Sequence, residues 1–252
     1  MKEVQKIMAK KKFFLIIDVE GTGDADKRNQ LPYDVGGAVM ARNGEIVETF
    51  SFVNSDIFCD GRLMATAYYA NKSPEYLSRL YRGETKPATT GEIFRHMADV
   101  MDRYDISEIW AYNVNYDCRA LWNAAHVFKR NFTTEEIRAA VRVIEATPKD
   151  IWRAAAEVLY GYHYCKFCRA NGYETDKGNI RTGAEFGYRY LTGDTSFEEE
   201  HRGLDDVLIE AHILKRVLDQ HKKFDATPSG FLHKKVMKKA THGNKGKKRK
   251  RV

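Results

Sequence analysis

The run Phe13-Phe14-Leu15-Ile16-Ile17-Asp18-Val19-Glu20 constrains this chain more than any other segment. Its consecutive large apolar residues leave no polar face, which predicts a strand buried on both sides at the centre of a sheet. It ends in two carboxylates two positions apart, and a strand points such residues to the same side. Desolvating both is costly unless a cation neutralises them, and oxygen-only donors suit Mg²⁺ or Mn²⁺. The competing reading is a solvated strand end. The lysines ahead of the run imitate a secretory signal, but an apolar stretch closed so soon by Asp18 fits a strand better.

The rest of the chain supplies partners for that strand. Residues 34–42 and 45–53 flank Asn43-Gly44, a strong hairpin signal, with positive φ expected at both turn positions. Ser73-Pro74 marks a helix start within residues 61–82. Thr89-Thr90 opens a helix over 90–104 that places Ile93, Met97, Val100 and Met101 on one face. Residues 107–112 read as a fourth strand, 114–128 as a helix, and Thr133 to Glu136 as a capping box starting another helix. A short fifth strand is expected at 149–152, then helices to about 168, at 182–192 and at 203–221. The resulting class is α/β: a mixed five-stranded sheet whose first three strands include an antiparallel hairpin, flanked by helices.

Charge divides the chain unevenly. Residues 222–252 carry 12 lysines and arginines against the single acid Asp225, while residues 1–221 carry 30 against 34. We expect a basic lead at 1–12, one domain over 13–221 with a possible helical insertion at about 130–180, and a largely disordered basic tail at 222–252. Such a tail attracts polyanions, nucleic acid foremost. Four cysteines are too few for a disulfide scaffold, and Cys165-Lys166-Phe167-Cys168 lacks the second pair a zinc site needs. With no signal peptide and no uncharged apolar run of about 18 residues, the chain is expected in the cytoplasm and off the membrane.

Two further segments carry chemistry. Asp117 closes Tyr112-Asn113-Val114-Asn115-Tyr116-Asp117, beyond the fourth strand and in the first turn of a helix, where an acid can also serve as a simple cap. His201-Arg202-Gly203-Leu204-Asp205-Asp206 places a histidine on the loop before the last helix. With an ordinary pKa near 6.5, that histidine could take a proton from water beside a metal. The plainer reading is a loop histidine and a capping acid, with Asp205 the better-placed cap. Sites in open α/β sheets gather beyond the carboxyl ends of central strands, where Asp18 and Asp117 both fall.

Taken together and in this order, DVEGTG (18–23), YNVNYD (112–117) and HRGLDD (201–206) resemble the motifs of the DEDDh 3′→5′ exonucleases. That group includes the proofreading exonuclease of bacterial DNA polymerase III, oligoribonuclease and RNase T. The resemblance spans about 13–221 and implies a ribonuclease H-like fold. It also implies two divalent cations, Mg²⁺ or Mn²⁺, about 4 Å apart. Asp18 would bridge both cations, Glu20 and Asp206 would complete the first site, and Asp117 would serve the second. His201 would be the general base, and nucleoside 5′-monophosphates the product. Gly21, Thr22 and Asn113 match positions near the terminal nucleotide, although Gly21 stands where threonine is usual and Tyr112 is an uncommon neighbour for Asn113. The implied substrates are single-stranded 3′ ends, DNA ahead of RNA, with a polymerase or other replication protein as a conceivable partner. The rival readings are an inactive nucleic-acid-binding or polymerase-associated module and an exoribonuclease that trims RNA.

Overall fold

The structure is a computed structural model and describes residues 12–23 and 29–228. The expectations for the basic lead and for most of the tail lie outside these residues.

Six strands form one sheet: β1 (Phe13–Gly21), β2 (Pro32–Ala41), β3 (Ile46–Asn54), β4 (Lys86–Ala88), β5 (Glu108–Ala111) and β6 (Thr147–Asp150), in the spatial order β4-β3-β2-β1-β5-β6. The helices in chain order are α1 (Ser55–Phe58), α2 (Gly61–Met64), α3 (Ser73–Arg82), α4 (Thr90–Arg103), α5 (Asn115–Phe128), α6 (Thr134–Ile144), α7 (Ile151–Val158), α8 (Tyr162–Ala170), α9 (Ala184–Thr192) and α10 (Gly203–Leu218). The architecture is the expected mixed α/β sheet flanked by helices, with one strand more than the sequence suggested. That strand, β4, is three residues long, contains Pro87 and pairs parallel to the end of β3. So short a piece shows no alternation, and its proline suits an edge position.

β1 is central, as its apolar run requires. It pairs antiparallel with β2 and parallel with β5. Alternate side chains feed two cores. Phe14 and Ile16 pack with Trp110, Ile213 and Leu214 on the side of α7 and α10. Leu15, Ile17 and Val19 pack with Met97, Met101 and Val143 on the side of α4 and α6. The expected capping box forms between Thr133 and Glu136 at α6, and Thr89 with Glu92 forms a second one at α4.

Several boundaries differ from the sequence reading. In the β2–β3 turn only Gly44 has positive φ, +91°, and the register shifts beside Met40, so a turn with a bulge replaces the expected two-residue hairpin. The fifth expected strand lies two residues earlier, at β6, because Asp150 caps α7 by accepting from Arg153 N at 3.3 Å. Within segment 130–180, β6 extends the sheet beside β5, and α6 packs against α4. Residues 222–228 are also packed. Asp150 N donates to Ala226 O at 2.8 Å and Arg153 pairs with Asp225 at 2.7 Å, so this stretch covers the free edge of β6. Among the described residues no helix is long and apolar enough to cross a membrane.

Candidate active site

A cleft of about 280 Å³ opens at the carboxyl end of β1 and gathers Asp18, Glu20, Asp117, His201 and Asp206 from four separate elements. Each arrives for a local reason. Asp18 and Glu20 lie two apart on β1 and share its direction. Asp117 is in the first turn of α5, yet it does not act as a mere cap. Its Oδ1 accepts a hydrogen bond from Val19 N at 3.1 Å, across 98 positions of sequence, which ties α5 to β1 between the two acids. The chain reaches α5 through Asn113, whose φ of +68° is a left-handed turn that asparagine tolerates. Asn113 N is held by Asp150 Oδ1 at 3.2 Å.

Asp206 is placed by a close approach of backbone to backbone. A Cβ on Gly36 of β2 would lie 2.1 Å from Gly203 C and from Leu204 N, and a Cβ on Gly203 would lie 2.6 Å from Gly36 N. Only glycine at both positions lets the start of α10 rest directly on the sheet. Asp34 Oδ2, on β2, then accepts from Gly203 N at 2.9 Å and from the Tyr76 hydroxyl at 2.7 Å. This contact does the work expected of Asp205, which instead pairs with Arg79 and Arg202 at 2.8 and 2.7 Å. Gly36→Ala is therefore expected to destabilise the protein by about 1–3 kcal/mol through overpacking. It should also loosen Asp206. A chemical-denaturation midpoint equal to that of the unsubstituted protein would overturn this account.

His201 sits on the loop before α10 with φ +48° and stacks on Tyr69, ring centroids 4.7 Å apart and planes 16° from parallel. One donor atom from each of Glu20, His201 and Asp206 lies within 4.8 Å of the others, the one such group of potential metal ligands among the described residues. The Cys165–Cys168 pair belongs to no such group. Both thiols are buried on α8, and burial pushes Cys168 up to about 11.

The site's electrostatics ask for a cation. Burial, followed by the charges of Glu210, Asp117, Glu20 and Asp206, holds Asp18 well above the usual carboxylate range. Glu20 and Asp117 are pushed up to about 8 and Asp206 to about 9, in each case first by burial. Among the described residues none of these acids shares an ion pair with a lysine or arginine side chain; the one cation acting on Glu20 is Lys72, through space. Asp206 Oδ1 is buried with no hydrogen-bond partner among the described residues. Oxygen donors, an orphaned carboxylate atom and crowded like charges fit hard divalent cations such as Mg²⁺ or Mn²⁺.

Two acids in the cleft were not foreseen. Glu210 is 3% exposed, lies one turn after Asp206 on the same face of α10, and accepts from Tyr112 N at 3.1 Å. Its i+4 spacing from Asp206 was the available signal, masked by the apolar residues around it. Glu199 Oε2 lies 4.0 Å from His201 Nδ1, and burial raises its pKa to about 7.

The residues expected near the terminal nucleotide fall in different places. Gly21 and Asn113 line an adjoining cleft of about 360 Å³ with Tyr68, Tyr69, Tyr116 and Arg119. A Cβ at Gly21 would lie 2.5 Å from the Tyr116 hydroxyl, so a larger residue would crowd that cleft. Thr22 is placed elsewhere: it is 2% exposed and its hydroxyl donates to Leu31 O at 3.4 Å, just past a register shift at which β2 carries an extra residue, Tyr33, opposite Glu20 and Gly21. Of the aromatics in segment 130–180, Trp152 and Tyr164 are core residues, whereas Tyr162 is 64% exposed.

No protein-family model matches this sequence, and neither does any curated protein. Solved structures do match. The E. coli exonuclease I–single-stranded DNA complex with bound zinc superposes with a TM-score of 0.50 at 16% identity, covering 84% of this chain and 41% of that one. The fold is that of the matched part of exonuclease I. A second complex of the E. coli enzyme, with a dA16 oligonucleotide, gives 0.49 at 16% identity over 83% of this chain and 42% of that one. The chain thus spans less than half the length of the exonuclease I chains it matches.

Proposed function

We propose that the protein is a metal-dependent 3′→5′ exonuclease that hydrolyses the terminal phosphodiester of a single strand and releases a nucleoside 5′-monophosphate. The observation that carries this reading is the convergence of Asp18, Glu20, Asp117 and Asp206 with His201 in one cleft at the end of the central strand. Likeness in fold to an exonuclease seen with single-stranded DNA supports DNA as the first substrate to test.

Asp18, Glu20 and Asp206 would hold one divalent cation, and Asp18 with Asp117 a second. Cations at these positions supply charge neutralisation, an acidified water and stabilisation of the leaving oxygen. The protein's own groups do the rest. His201 takes the proton of the attacking water as its oxygen bonds to phosphorus and the bond to the 3′ oxygen of the preceding nucleotide breaks. Tyr69 fixes the imidazole plane by stacking. Tyr116 and Arg119, which line the adjoining cleft, would meet the terminal base and its phosphate.

Burial, then Lys72, hold the His201 imidazole below its ordinary pKa, which keeps it in the neutral form a base requires. Activity should therefore rise with pH through a point below 6.5, the usual histidine value. His201→Ala should lower the rate about 10²–10⁴-fold and remove that acid limb. An unchanged profile in the variant would exclude His201 as the base.

The deciding assay uses labelled single-stranded DNA and RNA of equal sequence with Mg²⁺ or Mn²⁺, and EDTA as control. Metal-dependent shortening from the 3′ end supports the proposal, and the faster substrate identifies the preferred sugar. Binding without shortening under either metal would favour a binding module.

A further inference from the structure

A nucleic-acid enzyme whose cleft is lined by carboxylates must draw its affinity for a polyanion from elsewhere. The structure carries a second concavity, of about 390 Å³, at the opposite end of the sheet. Lys12, Arg42, Lys149, Lys222 and Lys223 surround it, with Glu108 as its sole acid. Glu108 sits between Lys12 at 3.2 Å and Lys149 at 3.5 Å and so offsets only part of that charge. Arg42, Lys222 and Lys223 are exposed and have no carboxylate partner among the described residues.

The floor is apolar, formed by the buried Phe14 and Trp110 with Leu218 and Ala226, and the partly exposed ring of Phe224 stands at its side. The Trp110 indole Nε1–H finds no acceptor among the described residues. Clustered cations draw nucleic-acid phosphates by releasing counterions, and Phe224 leaves part of one ring beside them for an unpaired base. Lys12 precedes β1 and Glu20 is near its end, so at about 3.3 Å per residue the groove and the carboxylate cleft lie roughly 26 Å apart. The packing of residues 222–228 over the edge of β6 is what brings Lys222 and Lys223 into position.

We propose that this groove is a phosphodiester-binding exosite for single-stranded nucleic acid, separate from the carboxylate cleft. It reads backbone charge, so it should serve DNA and RNA alike. Its existence does not depend on the cleft being catalytic.

The test is equilibrium binding of fluorescent 30-nucleotide single strands, DNA and RNA, to the full chain in EDTA, where no metal-dependent cleavage can occur. Arg42→Ala, Lys222→Ala and Lys223→Ala are combined in one variant. A control variant removes three exposed basic residues elsewhere, Arg130, Arg138 and Lys166. Each phosphate contact contributes about 0.7 to the slope of log affinity against log salt on single strands, so the groove variant should lose about 2 from that slope. Its affinity at low salt should fall at least about tenfold, with both sugars. The control should change far less. Equal losses in the two variants would show that net charge alone is responsible and would overturn the proposal, as would an unchanged slope in the groove variant. Matching thermal melts of the three proteins verify that the comparison is between folded molecules.

Discussion

Asp18→Asn is expected to abolish strand digestion, by about 10³-fold or more, and at the same time to raise the melting temperature of the metal-free protein. The loss follows because Asp18 is the acid that both proposed cation positions would share. The gain follows because its charge is held among Glu210, Asp117, Glu20 and Asp206 at a buried strand end. The neutral amide removes that repulsion while keeping the shape. In a domain of this size about 1 kcal/mol moves the midpoint by about 2–4 °C, so the effect is measurable by ordinary thermal melts. A linked pH dependence should appear in the unsubstituted protein. Folding raises Glu20 and Asp117 to about 8 and Asp206 to about 9, against values near 4 in an unfolded chain. Between those limits the folded state holds protons that the unfolded state has released, so stability without metal should fall as pH rises from about 4 to about 9. Saturating Mg²⁺ or Mn²⁺ binds the ionised carboxylates and should flatten or reverse that trend. A metal-free protein whose stability climbs across this range would contradict the electrostatic account of the cleft.

Glu210→Gln should separate two roles that the wild-type side chain combines. Glutamine keeps an oxygen that can accept from Tyr112 N, the bond seen at 3.1 Å, but cannot carry charge. If Glu210 serves only that bond, neither the metal-free melt nor the rise produced by Mn²⁺ should change. We expect both to change, in opposite directions. Removing one acid from a crowded, unpaired group stabilises the metal-free protein, whereas losing one negative charge beside Asp18 weakens cation binding. Titrating Mn²⁺ by calorimetry should show an affinity lower by about tenfold, the scale on which groups around a metal site usually act. This readout needs no substrate, so it stands whatever the strand preference of the protein.

The main features of the fold could be read from the residues because they depend on local pattern. An unbroken apolar run can only be a strand covered on both faces, and 13–20 became the centre of the sheet. Thr89 and Thr133 with glutamates three positions on became capping boxes, since that bond lies within one turn. Features set by two distant segments were not readable. β4 exists because β3 offers it an edge. The ordering of 222–228 depends on β6, and the role expected of Asp205 passes to Asp34, 169 residues before the N–H it receives.

The candidate site divides along the same line. Asp18, Glu20, Asp117, His201 and Asp206 could be named from motif order, because each has the residue type and local element its chemistry needs. Their arrangement comes from contacts that no local rule encodes: Val19 N on Asp117, and Gly36 against Gly203. Thr22 matched by motif but is buried just past a register shift between β1 and β2, and Glu210 matched nothing yet faces the cleft. Residue type and short-range periodicity are properties of a segment, so they survive in one dimension. Proximity between carboxylates, and the burial that raises their proton affinity, arise only when separate strands and helices pack together.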